Sequence, residues 1–286
     1  MQQNIPAWTV EEMARVLEVS RSGYYRFCRN QLSKRRQENE VLVKAMKEIF
    51  LQSRQTYGSP RIHAELKIQG FHCSRPRTAR LMKQAGIAAK MSRLFKTTTR
   101  VNARQAAAPN LLQQDFTATA PNEKWVADIS YIRTLEGWLY MAVVLDLYSR
   151  KVVGLSLGDS LQTRLVLRAL EQALQRRRPK TPLQHHSDRG CQYTSVAFQK
   201  LLAEKGIMCS MSGKGHCFDN AVAESFFHTL KTECVYFERY ENREHAKRCI
   251  FEYVEVYYNN QRSHSTLGYV SPAEYERQYY QQQLYS

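Results

Sequence analysis

Between residues 122 and 240 the hydrophobic period changes several times, and the order of those changes restricts the fold more than any other feature of the chain. EKWVADISYIRT is rich in β-branched and aromatic residues, as strands are. WLYMAVVLDLYS follows Glu136-Gly137, a hairpin signal, and KVVGLSLGD follows the tight turn at Ser149-Arg150. LQTRLVLRALEQALQRRR then carries leucines at helical spacing. After it come a short strand (PLQHHSD), a helix (TSVAFQKLLAEKG), a strand (IMCSMS), a Gly-rich loop (GKGHCFDN) and a helix from about 220 to 235. Three hairpin-linked strands followed by alternating helices and strands predict an α/β core: one mixed sheet with helices on its faces.

The first 110 residues differ in kind. They hold 21 Lys+Arg against 7 Asp+Glu, whereas residues 111–286 hold 21 against 19, so nearly all of the +16 surplus lies in the first two-fifths. A localised positive field concentrates polyanions, so this part is expected to bind nucleic acid. Two helix-turn-helix units are predicted there, near 9–30 and 57–87. In the first, Thr9 and Glu12 fit a capping box, and Val19-Ser20 separates the two helices. In the second, Ser59-Pro60 opens a helix, Gly70 ends it, and Ser74 starts another bearing Arg75, Arg77 and Arg80. A basic second helix suits the DNA major groove, and those three arginines are the expected contacts; a solvated basic surface is the alternative. Residues 102–121 are Ala-, Gln- and Thr-rich with two prolines, and read as a linker.

Other classes are excluded. The composition is globular, and no apolar run is long enough to span a membrane. The N-terminus lacks a charged-then-apolar leader, so a cytoplasmic protein is expected. Seven cysteines without a C-x-x-C pair argue against a disulfide framework and a zinc ribbon.

Three acids then stand out. Asp128 lies mid-strand, on the face of Val126, Ser130 and Ile132. Asp188 lies where a strand passes into a loop, the place where α/β sheets build sites. Glu224 shares a helical stripe with His228 and Lys231, opposite Val222, Phe226, Thr229 and Leu230. Each alone reads equally as structural: a satisfied Asp, a turn Asp, a solvated Glu. Together they can converge at one edge of the sheet, where carboxylates repel unless divalent cations neutralise them. Such a cage can hold two ions about 3.5–4 Å apart, an arrangement suited to phosphodiester chemistry.

The motifs resemble a known family. Thirty-five residues separate Asp188 from Glu224, and Lys231 lies seven beyond the glutamate. That is similar to the signature of retroviral integrases and DDE-class insertion-sequence transposases. WVADISYI, LDLYSRKVVG, HSDRGCQYTS, SMSGKGHCFDNAVAESFFHTLKTE and YNNQRSHSTLGYVSP resemble the second-frame (OrfB) product of the IS-three group. No N-terminal His/Cys zinc module of the retroviral kind is apparent. The resemblance implies a ribonuclease-H-like catalytic core over 122–240, a helical DNA-binding region over 1–101 and a C-terminal helical extension over 241–286. It implies that Asp128, Asp188 and Glu224 are the catalytic and metal-binding acids, holding two Mg²⁺ (or Mn²⁺), and that Lys231 contacts DNA near the reacting end. The implied partners are the double-stranded terminal repeats, a target DNA, further copies of the chain in a dimer or higher assembly, and an upstream-frame fusion partner. Lys214 and Arg262 are further candidate DNA contacts. Asp146 is expected to be structural or to support the acids from behind, Asp219 and Asn220 to cap a helix, and Tyr253, Tyr257 and Tyr258 to pack. A ribonuclease-H-like nuclease without strand joining and a non-catalytic DNA-binding regulator remain as alternative functions.

Overall fold

The computed structural model describes residues 8–28, 33–90, 108–180, 182–213 and 220–284. Lys214, with His216 and Asp219, lies outside the described residues. The chain divides into two units, Met1–Gln52 with Gly58–Ala88, and Ser53–Tyr57 with Ala89–Ser286.

The first unit is helical: α1 (Val10–Val16), α2 (Arg21–Cys28), α3 (Lys34–Gln52), α4 (Ser59–Ile68) and α5 (Arg75–Gln84). The capping box forms, with the Glu12 N–H donating to Thr9 Oγ1 at 3.2 Å and the Thr9 N–H donating to Glu12 Oε2 at 3.0 Å. Ser20 accepts from the Gly23 N–H at 3.0 Å, and Ser74 from the Arg77 N–H at 3.3 Å. Gly58, not Ser59, is the N-cap of α4, because Ser59 already has helical backbone and Pro60 follows within the first turn. On α5 the buried side is Thr78, Leu81 and Met82, and Ala79 faces solvent. The long α3 was not singled out from the sequence. Its buried Leu42, Ala45, Met46 and Ile49 follow helical spacing, but a charged first half masks the stripe.

The second unit is built on one sheet: β1 (Lys124–Thr134), β2 (Gly137–Asp146), β3 (Val152–Gly158), β4 (Gln184–Ser187) and β5 (Met208–Met211), in spatial order β3-β2-β1-β4-β5. β1, β2 and β3 are antiparallel neighbours, and β4 and β5 add in parallel on the other side of β1. Alternation along the strands feeds two cores. On one face Trp125, Ala127, Ala142 and Val144 pack with α6 (Thr163–Arg177) and α7 (Val196–Glu204). On the other, Val126, Ile132, Met141 and Val143 pack with α8 (Ala221–Glu233), α9 (Arg243–Phe251) and the π-helical turn Glu252–Tyr258 that continues it. Close approach at one point requires glycine: a Cβ on Gly154 of β3 would stand 2.1 Å from the Ala169 carbonyl oxygen of α6.

The described part of the expected linker, residues 108–121, is not a free connector. Leu112 is buried, and the Leu111 and Leu112 N–H groups donate to Ser210 Oγ of β5 at 2.9 and 3.2 Å. The polar composition hid one well-placed leucine. The C-terminal residues are likewise part of the core. Glu276 of α10 (Pro272–Leu284) is 4% exposed and accepts from Arg177 Nη2 at 2.7 Å, Ser149 Oγ at 2.8 Å and Lys151 Nζ at 3.1 Å. Tyr253, Tyr257 and Tyr258 are buried, as expected. Tyr57, from the short segment grouped with this unit, is buried too, and its hydroxyl accepts from the Ser263 N–H at 2.6 Å. Among the described residues no helix is long and apolar enough to cross a membrane.

Candidate active site

The sheet register brings two of the acids together. In the parallel pair, Lys124 stands opposite Gln184, Trp125 opposite His185 and Val126 opposite His186. Two further steps along both chains put Asp128 level with Asp188, just past the end of β4. Parallel neighbours lie about 4.8 Å apart, with level residues on the same face. Each carboxylate is fixed by its own backbone: Asp128 Oδ1 accepts from the Ile129 N–H at 2.8 Å, and Asp188 Oδ1 from the Gly190 N–H at 2.9 Å. Gly190 leaves room for this turn, since a Cβ there would come within 2.9 Å of Asp188 Oδ1.

The third acid arrives on α8. Asn220, at the helix start, donates from Nδ2 to the Ala127 carbonyl at 3.3 Å, which fastens the first turn beside Asp128. Glu224 lies one turn further on the same stripe, exposed, as is His228; Lys231 follows two turns beyond. Ala223, Phe226, Phe227 and Leu230 form the buried side.

The electrostatics record the convergence. Burial pushes the Asp128 carboxyl up to about 8, although the residue keeps some solvent contact; Asp188 and Glu224 push the same way, against the Ile129 N–H and Lys231. Burial also raises Asp188, offset by the Gly190 N–H, and raises Glu224. Desolvation lowers Lys231, and Asp128 partly restores it. Like charges thus meet with one lysine to offset them. In kind, three carboxylates suit a hard divalent cation. Among the described residues, however, no three His, Cys, Asp or Glu side chains stand close enough to hold a metal ion as placed. Glu224 is the most exposed of the three, on a side chain with three rotatable bonds.

Residues 118–217 and 224–280 each match an integrase core domain model, and residues 36–95 match an HTH-like domain. The chain is 43% identical over 269 residues to the insertion element IS600 31 kDa protein of Shigella sonnei, covering 94% of this chain and 99% of that one. It is 41% identical over 271 residues to the transposase InsF of insertion sequence IS3A of Escherichia coli, covering 94% of each. The chain belongs to the IS3 family of transposases. Among solved structures, the simian T-cell lymphotropic virus intasome matches with a TM-score of 0.46 and 14% identity, over 74% of this chain and 69% of that one.

Other residues of the transposase fall into place around the acids. Lys231 Nζ lies 5.7 Å from the centre of the Tyr131 ring, itself edge-on to Trp138 at 5.2 Å. Asp146 is fully buried, accepting from the Asn122 N–H at 2.6 Å and the Tyr148 N–H at 2.9 Å. Asn220 holds the N-cap position of α8 but makes no side-chain cap bond: its Nδ2 donates to the Ala127 carbonyl, and its Oδ1 has no partner among the described residues. His185 and His186 point to opposite faces as alternation requires: His186 bonds Ser210 and Ser212, while His185 sits against Phe198 with both ring nitrogens unpartnered among the described residues.

Two expected DNA contacts change role. Arg262 is 3% exposed and grips Glu233 with Nε at 2.8 Å and Nη2 at 2.7 Å, so its guanidinium is not offered to phosphate. Arg77 reaches α3, with Nε and Nη2 at 3.0 and 2.8 Å from Asn39 Oδ1. Arg75 and Arg80 remain exposed on α5. Sequence reasoning missed Asn220 as a tether and Glu233 as the partner of Arg262. No periodicity marks such residues, since their partners lie far along the chain.

Proposed function

We propose that this transposase cuts and joins DNA at the ends of its insertion sequence, with Asp128, Asp188 and Glu224 as the catalytic, metal-binding acids. The observation that carries the reading is the parallel register that brings Asp128 level with Asp188, with the charge of Glu224 felt at the same place. When bound there, two divalent cations, Mg²⁺ or Mn²⁺, supply the positive charge that activates the attacking oxygen and stabilises the leaving one. The chain does the positioning. Asp128 and Asp188 are held rigid by strand and turn backbone, and Glu224 completes the donor set from a helix fastened at Asn220. Lys231, two turns along, holds the phosphate flanking the reacting bond, its ammonium lying over the Tyr131 ring. Arg75 and Arg80 grip the terminal repeat. Joining needs two ends in one assembly, so the working form is a dimer or larger, and an upstream-frame fusion partner would add to it.

Labelled element ends incubated with Mg²⁺ and a target duplex test this. The wild type is expected to cleave and join, and Asp188→Asn to lose both while still binding the ends. The loss should be at least about 100-fold, the scale of removing one charge-stabilising group. Full activity in Asp188→Asn would overturn the assignment. Cleavage without joining would leave a nuclease.

A further inference from the structure

One buried hydroxyl on the turn that leaves Asp188 has no partner among the described residues. Tyr193 is 1% exposed, and its phenol oxygen is unbonded among the described residues. Buried polar atoms are nearly always satisfied, and a lone one calls for an explanation. The turn that leaves Asp188 fixes its place: the Gly190 N–H donates to Asp188 Oδ1, and the Tyr193 N–H donates back to the Gly190 carbonyl at 3.0 Å. Gln199 Nε2 donates to the Tyr193 carbonyl at 2.7 Å, and the Phe198 ring stands edge-on at 5.3 Å. The backbone and the ring are therefore held while the hydroxyl is not. Burial raises its pKa well above the ordinary phenol range, with Asp128 and Asp188 pushing the same way. The group thus stays an O–H donor that feels both charges.

We propose that Tyr193 is a positioning residue of the acid site: its hydroxyl donates a hydrogen bond to the Asp128–Asp188 pair, or to a water held by it, when a divalent cation gathers the acids. A phenylalanine in its place would pack equally well against Phe198 and leave nothing unbonded. The hydroxyl costs stability in the metal-free fold and recovers that cost in the loaded one. The inference rests on the reading of Asp128 and Asp188 as cation-holding acids.

Thermal melting of the full chain across a Mg²⁺ titration tests it, because a ligand that binds the folded state raises the melting temperature. Tyr193→Phe is expected to melt in chelator at or above the wild-type temperature. It is expected to need about 10-fold more Mg²⁺ to reach half of its stabilisation, the low end for losing a partner of a metal ligand. His185→Phe, which alters the same aromatic cluster without touching the hydroxyl, is expected to keep the wild-type midpoint. An unchanged midpoint in Tyr193→Phe overturns the proposal, as does a lower melting temperature in chelator, which would mean a hydroxyl already bonded. An equal shift in His185→Phe also overturns it, since packing would then be the cause. Asp188→Asn separates the two levels. If it abolishes the Mg²⁺ response while Tyr193→Phe does not shift it, only the role of Tyr193 falls; if it keeps the response, the acid-site reading falls as well.

Discussion

His185 shows what a single side chain can impose on the pH response. Burial lowers its pKa to about 3, with His186 adding to the shift. The unfolded chain takes up a proton below about 6.5, but the folded chain does not until near 3. Across that window the unfolded state binds more protons, so stability is present above about 6.5 and is lost as pH falls. Melting curves at pH 7 and pH 4.5 should therefore differ less in His185→Phe than in the wild type; an equal difference would exclude the histidine as a source. Lys231 is tested at the same scale. If it contacts one phosphate, Lys231→Ala should weaken binding of all sequences alike and lower the slope of log affinity against log salt by about 1.

At the scale of elements, two contacts decide whether the site can assemble. Gly154 lets α6 settle on β3, and the Ala169 carbonyl occupies the space where a Cβ would go. Gly154→Ala must push the helix off the sheet, at a cost of about 3 kcal/mol, the upper part of the overpacking range. A thermal melt reads this as a fall of about 6–12 °C for a unit of this size. The second contact holds α8. Arg262 and Glu233 are a buried, doubly hydrogen-bonded pair, and Tyr253 donates to the same carboxylate at 2.8 Å. Arg262→Ala strands a buried carboxylate, an effect worth about 3–5 kcal/mol. Since Glu233 lies two residues beyond Lys231, strand cleavage should fall with the stability. Filter binding to duplex DNA should change little, because the guanidinium is buried; a large loss of affinity there would restore Arg262 as a DNA contact.

Over the whole molecule, charge and chemistry are separated along the chain. The basic surplus lies in the first 110 residues, and the acid site lies entirely in the second unit. Salt should therefore weaken DNA binding steeply in both the wild type and Asp188→Asn, with equal slopes, because the acids release no counterions from DNA. A shallower slope in the variant would place the acid site within the binding surface. The same separation explains what could be read early. Strand and helix order, the hairpins, the Thr9 capping box, the stripe of α8 and the spacing of the three acids follow from periodicity and local chemistry, which depend on near neighbours in sequence. Long-range pairing is different. That Asp128 and Asp188 come level is decided by the register of β1 against β4, some sixty residues apart. That Arg262 is buried, that Leu112 joins the core and that Tyr193 lacks a partner among the described residues follow from surfaces that exist only once the sheet and helices have packed. The sequence by itself determined which acids are the candidates for the chemistry and which elements hold them; packing alone decided which polar groups face one another, because a hydrogen bond or a charge is felt over a few ångströms of space and not over positions in the chain.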